Sequence, residues 1–298
     1  MLSLFSRFPS IPPSVPKPSL PPPLLDSKSS FTRGFSENSK SIELFDGVLI
    51  NSFEELEKQS LEMLLNKGLP PVFPLGPFLP LEFEGESSFA PLEWLENQRE
   101  SSVVYVSFGS RTTMCKEQIR ELGKGLALSG YKFLWVVKSK VVDKEETGDD
   151  LAEILGHQVM NKVKNNNGFV VNQWVNQWRI LSHKAVGGFM SHCGWNSVME
   201  AAWNGIPVLG WPQHGDQMIN GEVIEAAGWG LCVKTWGWGL NTHNLVKGEE
   251  IGDKIKELME NQMVRMEAAR ISEAAKKSSE AGGSSEILRK LFQSLKKN

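Results

Sequence analysis

The sequence is poor in nearly everything that marks a disulfide-stapled, metal-bound or nucleic-acid-binding protein. Only three cysteines occur in 298 residues, Cys115, Cys193 and Cys232. They are odd in number, far apart and form no CxxC pair, which excludes a disulfide framework and a structural zinc site and suits a reducing, cytoplasmic setting. Positive charge is not in excess: 32 Lys and Arg against 35 Asp and Glu leave a net charge of -3. Phosphate-backbone binding, with nucleic acid as a partner, is therefore not expected. No apolar run approaches the roughly 18 to 20 residues needed to span a bilayer, so no membrane partner is expected either. Asp-x-Asp metal-binding pairs are absent. The opening residues are rich in serine and proline and poor in acid, as in a transit peptide, but the amphipathic arginine pattern is missing. Arg7 and Pro9 also cut the first apolar stretch short of a secretory signal.

What is present is the composition of a folded protein, 40% apolar and 22% charged, long enough for one large domain or about two. The prolines of residues 9 to 24 impose polyproline II or extended turns. From residue 47, "GVLINSF" reads as a strand, and "SFEELEKQSLEMLL" as a helix capped by Ser52 with Glu55 three residues on. From Ser102 the chain alternates regularly. Strands "VVYVSF", "FLWVV", "FVVNQW", "AVGGFM", "IPVLGWP" and "GLCVKTW" are separated by amphipathic helices. Near-continuous apolar strands alternating with such helices predict an α/β domain, a doubly wound parallel sheet covered on both faces. Ligands of such sheets bind at the carboxyl ends of the strands. Past residue 248 the chain reads as charged helices broken at Gly282-Gly283. The division expected is 1–46, 47–80, 81–248 and 249–298.

Residues 187 to 202, "GGFMSHCGWNSVMEAA", set a histidine beside a cysteine within a glycine-bracketed run. A metal pair fails on geometry, since neighbours in an extended segment point opposite ways and further ligands are not at usable spacing. A Cys-His nucleophile fails for the same reason, and Cys193 reads as a packed core residue. What remains is strand, tight turn at Gly194 and helix. The unpaired amides of that helix start favour an anion, with His192, Asn196 and Ser197 as added donors. Glu200, four residues beyond Asn196, shares its face and can accept hydroxyl hydrogen bonds. Equally, Asn196 and Ser197 would serve as caps and His192 as a core histidine. Nearby, Trp174 offers a flat face for a planar base, Gln177 follows within reach of a ribose, and Asp216 and Gln217 stand at a helix head where they suit sugar hydroxyls. Capping accounts for Asp216 as well.

From Trp174 to Gln217 the run "WVNQWRILSHKAVGGFMSHCGWNSVMEAAWNGIPVLGWPQHGDQ" resembles the signature box of the plant UDP-dependent glycosyltransferases of family 1. The resemblance extends through "GVLINSFEELE", "PLGPFLP", "EWLENQRESSVVYVSFGS" and "SGYKFLWVV". It implies a GT-B fold of two Rossmann-like domains facing a cleft, with the carboxyl-terminal domain at 81–248, terminal helices at 249–298, and residues 1–46 a remnant of the acceptor domain, 47–80 leading into the linker. By the same resemblance Trp174 stacks on uracil, the Val175 backbone bonds its edge, and Gln177 and Glu200 hold the ribose. His192, Asn196, Ser197 and Ser110 hold the pyrophosphate, and Trp195, Asp216 and Gln217 position the transferred sugar, glucose. The donor is UDP-glucose and the acceptor a small molecule; no cofactor and no metal are implied.

"SFGSRT", "VVDKEE", "WPQHGDQ" and "VKTWGWG" resemble the branch that includes flavonoid C-glycosyltransferases. Trp236 and Trp238 are open to two readings, flanking an acceptor or forming a glycine-punctuated surface hairpin. Trp178 and Arg179 depart from the family pattern at the edge of the base pocket. In the family the acceptor domain supplies a histidine base, whereas His157, His183, His192, His214 and His243 all lie in the second half here. No catalytic residue is therefore expected in this chain, which resembles an amino-terminally truncated member. Two readings stand: an inverting, metal-independent glycosyltransferase, or a UDP-sugar binding module without transfer.

Overall fold

A computed structural model of the chain describes residues 16, 19–65, 69–80, 90–110, 112, 114–137, 151–236, 245–280 and 283–295. Strands β1 (Val48–Ile50) and β2 (Val72–Pro74) form a small parallel sheet. Strands β3 (Val103–Ser107), β4 (Lys132–Val136), β5 (Gly168–Val171), β6 (Val186–Ser191), β7 (Val208–Gly210) and β8 (Gly230–Cys232) form the main sheet. In chain order the helices are α1 (Pro22–Leu25), α2 (Ser30–Lys40), α3 (Glu54–Leu65), α4 (Ala90–Glu96), α5 (Lys116–Leu128) and α6 (Leu151–Lys164). They continue as α7 (Gln177–Leu181), α8 (Trp195–Asn204), α9 (Gln217–Ala226), α10 (Gly248–Glu260), α11 (Gln262–Ser279) and α12 (Ser284–Leu295).

The main sheet runs β5-β4-β3-β6-β7-β8 with every pair parallel. Counting from β3, this is the 3-2-1-4-5-6 order of doubly wound nucleotide-binding sheets, and strand order reverses between β3 and β6. Every residue of β3 and of β6 is buried, as central parallel strands require. Alternation divides them. Val103 and Tyr105 join Leu134, Phe189 and Val208 in one apolar cluster with α8, α9 and α11. Val104 and Val106 join Phe133, Trp135, Met190 and Leu209 in another with α5, α6 and α10. The period-2 pattern of the strands thus supplies both faces of one sheet.

The structure adds local detail that the residue pattern does not carry. The hydroxyl of Ser52 faces Glu57 and caps no first-turn amide, and α3 starts at Glu54 and bends at Glu57, whose backbone is non-helical. Helix α6 bends at Gly156, where φ is 79°. Of "TWGWG" the structure describes Thr235 and Trp236: Lys234–Trp236 is a 3-10 turn, and Trp236 is 3% exposed. Its ring lies 4.6 Å from that of Trp211 and its indole N–H donates to Glu250 at 2.7 Å, so it belongs to the core. Strand "GLCVKTW" is confined to Gly230–Cys232. Trp238, His243 and "VVDKEE" lie outside the described residues.

The terminal segments are helical as the charge pattern suggests. Helix α11 lies on α8 and α3, and Ser278 Oγ donates to the Gly76 carbonyl at 3.0 Å, tying the last helices to the linker. On α12, Ile287, Leu288 and Leu291 are half-buried and Phe292 is 58% exposed. On α2 the rings of Phe31 and Phe35 stack at 6.1 Å and stay largely exposed.

Candidate functional site

A crevice of about 400 Å³ opens at the carboxyl edge of the sheet where strand order reverses. Ser107, Gly109 and Ser110 line it from the end of β3, Trp174 to Arg179 from the loop after β5 and the start of α7, and Asn196, Ser197 and Glu200 from α8. Tyr105 forms part of its floor and Pro80 part of its rim.

The turn into α8 carries local strain. Cys193 is a non-glycine residue at φ 63°, a conformation that persists only when its surroundings hold it. Asn220 Nδ2 donates to the Cys193 carbonyl at 2.9 Å, and the Cys193 amide donates to Ser191 Oγ at 3.1 Å. The thiol is fully buried, and burial pushes its pKa well above the ordinary range, so it is no nucleophile. Gly194 is the cap residue of α8 and makes no side-chain cap bond. The first-turn amides of α8 have no intrahelical acceptor, so the end of the crevice lined by Asn196 and Ser197 can take an anion. The His192 ring lies against two glycines: a Cβ placed on Gly109 would come within 2.6 Å of His192 Nε2, and one on Gly194 within 2.4 Å. Glycine at both positions leaves room for the imidazole between Gly109 and the start of α8.

Behind the anion site lies a polar network. Gln177 Nε2 donates to Glu200 Oε2 and to Ser197 Oγ, each at 2.9 Å, while Tyr105 donates its hydroxyl to Gln177 Oε1 at 3.4 Å. Burial raises the Glu200 carboxyl above its usual range, and the Gln177 hydrogen bond partly opposes this. With one oxygen engaged by Gln177, the carboxylate keeps acceptor capacity for a diol. Trp174 is 65% exposed at the rim and Val175 is buried beside it.

Ser110, Trp174, Val175, Gln177, Asn196, Ser197 and Glu200 thus meet around one crevice, with His192 at its anion end. Trp195, Asp216 and Gln217 stand elsewhere. The Trp195 indole N–H donates to the Asn51 carbonyl at 2.6 Å, joining α8 to the end of β1. Gln217 is buried, and its Oε1 accepts from the amides of Gln213 and His214 at 2.8 and 2.9 Å. Asp216 is exposed at the head of α9, makes no cap bond, and accepts from Asn220 at 3.2 Å. Sequence reasoning passed over Tyr105 and Asn51. Strand alternation sets Tyr105 on the same face as Ser107, which was a usable signal; the Asn51 carbonyl left none, because backbone contacts are invisible in a residue pattern.

Residues 57–277 match the family model described as UDP-glucoronosyl and UDP-glucosyl transferase. The chain belongs to this family. UDP-glycosyltransferase 708G2 of Citrus unshiu is 52% identical over 289 residues, 95% of this chain and 60% of that protein. UDP-glycosyltransferase CGT of Oryza sativa subsp. indica is 44% identical, covering 91% of this chain and 58% of that one. Among solved structures, LpCGTa in complex with UDP superposes with TM-score 0.81 at 40% identity, over 96% of this chain and 62% of that one. Medicago truncatula UGT71G1 complexed with UDP-glucose gives 0.83 at 29% identity, over 96% and 62%. The fold is accordingly of GT-B type, and the chain spans about 60% of the length of the curated relatives it matches.

Proposed function

We propose that the chain binds UDP-glucose in the crevice between the ends of β3 and β6, for inverting, metal-independent transfer to a small hydrophobic acceptor such as a flavonoid. One observation carries this reading: Trp174, the Gln177–Glu200 pair and the start of α8 line one crevice. Flat aromatic face, diol acceptor and anion site are what base, ribose and diphosphate require. In the reaction the acceptor atom attacks the anomeric carbon while its proton passes to a base, in the family a histidine of the acceptor domain, and the carbon–oxygen bond to UDP breaks with its electron pair leaving on the diphosphate. The α8 amides, His192, Asn196 and Ser197 stabilise the charge that develops there. Trp195 acts as a strut to β1 in this reading, and Asp216 offers its second carboxylate oxygen to the sugar.

A second reading, donor binding without transfer, is favoured by how the described histidines are placed. His183 Nε2 lies 3.3 Å from a Glu96 oxygen, His214 contacts Thr112 at 3.4 Å, His157 is exposed on α6, and His192 serves the anion site. The purified 298 residues are expected to bind UDP in calorimetry and to release negligible UDP from UDP-glucose with a flavonoid present. Robust glycoside formation overturns the binding-only reading, and failure to bind UDP overturns both. Trp174→Ala is expected to remove the UDP-dependent part of the tryptophan fluorescence quenching.

A further inference from the structure

We propose that Tyr105 is a positioning residue for the ribose site: its buried hydroxyl holds the Gln177 amide with the nitrogen facing Glu200 and Ser197. This rests on the assignment of Gln177 and Glu200 to ribose made above.

Tyr105 is the middle residue of β3, between β4 and β6, and is 1% exposed. Its ring stacks on Phe189 of the neighbouring strand, centroids 5.0 Å apart and planes inclined by 22°. A phenol packed in this way has one accessible hydroxyl position. From there the hydroxyl donates to Gln177 Oε1 at 3.4 Å. Burial raises the phenol pKa further, so the group remains a donor throughout the working range.

A primary amide has one accepting end and one donating end. With Tyr105 at the oxygen, the nitrogen is left to Glu200 Oε2 and Ser197 Oγ, both at 2.9 Å. Ionised Glu200 already resists a full flip, because an amide oxygen against a carboxylate oxygen is repulsive. Partial rotation is a different matter. Without the hydroxyl, the Gln177 carbonyl loses its buried donor and turns into the crevice toward water, taking both nitrogen bonds out of line. Glu200 is then no longer oriented toward the ribose hydroxyls, although neither Gln177 nor Glu200 has been substituted.

The test is Tyr105→Phe, which keeps the ring and its stacking on Phe189. Affinities for UDP and for 2′,3′-dideoxy-UDP are measured by calorimetry in the parent chain, in Tyr105→Phe, in Gln177→Ala and in the double variant. The expected result is a roughly three- to tenfold loss of UDP affinity, the worth of one neutral hydrogen bond, with dideoxy-UDP affinity unchanged. That loss should vanish in the Gln177→Ala background, since residues acting through one another are not additive. Equal losses for the two nucleotides, or additive effects of the two substitutions, overturn the proposal in favour of a packing role. If the parent chain itself binds UDP and dideoxy-UDP equally, the ribose assignment fails first, and Tyr105 with it. Thermal unfolding of Tyr105→Phe, expected within a few degrees of the parent, shows that the comparison is made on folded protein.

Discussion

Gln177 Nε2 lies 2.9 Å from Glu200 Oε2, so two side chains twenty-three residues apart share one hydrogen bond at the floor of the crevice. The bond fixes which carboxylate oxygen is already engaged and which remains for a ligand. A hydrogen bond to a charged group is worth about 1.5 to 3 kcal/mol. Glu200→Ala is therefore expected to weaken UDP by roughly tenfold or more, with uridine weakened by the same factor because the loss lies on the nucleoside. Calorimetry with both ligands checks this, and a loss confined to UDP would move Glu200 to the diphosphate.

Burial raises the Glu200 carboxyl above the exposed value of 4.5, which gives binding and stability opposite pH dependences. Accepting a hydroxyl needs the ionised form. Uridine affinity should accordingly fall as pH drops from neutral through the raised carboxyl pKa, at a higher pH than an exposed glutamate would produce; uridine carries no phosphate to titrate there. Stability runs the other way. The folded chain holds this proton more tightly than the unfolded chain, so Glu200 costs stability as pH rises from 4.5 through the folded value, and nothing below it. Glu200→Gln should have a flat uridine pH profile and a higher unfolding midpoint than the parent at pH 7, the difference closing toward pH 4. A parallel fall of uridine affinity in Glu200→Gln would assign the titration elsewhere.

The parallel sheet covered on both faces, and a crevice at the carboxyl ends of its strands, were legible in the sequence because alternating apolar strands and helices are a long, periodic signal; the strand order was not. Trp174, Gln177 and Glu200 were legible as candidate site residues, and they line one crevice. What the residue pattern leaves out is the backbone. The Trp195 indole lies 2.6 Å from the Asn51 carbonyl, and the Gln217 amide oxygen accepts from two amides of its own loop. Polar side chains are spent on the backbone as readily as on ligands, and no pattern of residue types records where the backbone passes. The burial of Trp236 was not legible either: the glycines around it left its surroundings open, whereas Trp211 and Glu250 draw it inward.

The strut role of Trp195 separates from a sugar-binding role by a single substitution. Trp195→Phe removes the N–H donated to the Asn51 carbonyl and leaves an aromatic ring. Losing one neutral hydrogen bond at a half-buried contact costs about 1 kcal/mol, and amide hydrogen exchange should quicken in β1 and at the start of α3, the elements that this bond ties to α8. The preference for UDP-glucose over UDP should stay as in the parent. A preference that disappears, with exchange unchanged, returns Trp195 to the sugar.

The two glycines around His192 give the sharpest test of the anion site. Gly109 has φ 74°, so a side chain there is strained whatever the space available, and its substitution confounds backbone with contact. Gly194 has φ -61°, ordinary for any residue, and the nearest atoms to a Cβ there belong to the His192 ring, at 2.4 Å from Nε2. Gly194→Ala should therefore move the imidazole at little cost to the fold, with a stability change below about 1 kcal/mol. If His192 donates to the diphosphate, displacing it removes a charge-assisted bond. UDP affinity should fall roughly tenfold while uridine, which lacks the diphosphate, binds as before. His192→Ala should give the same pattern, and combining the two should add nothing further, because both remove one contact. Equal losses of UDP and uridine would mean that the ring only fills space between β3 and α8.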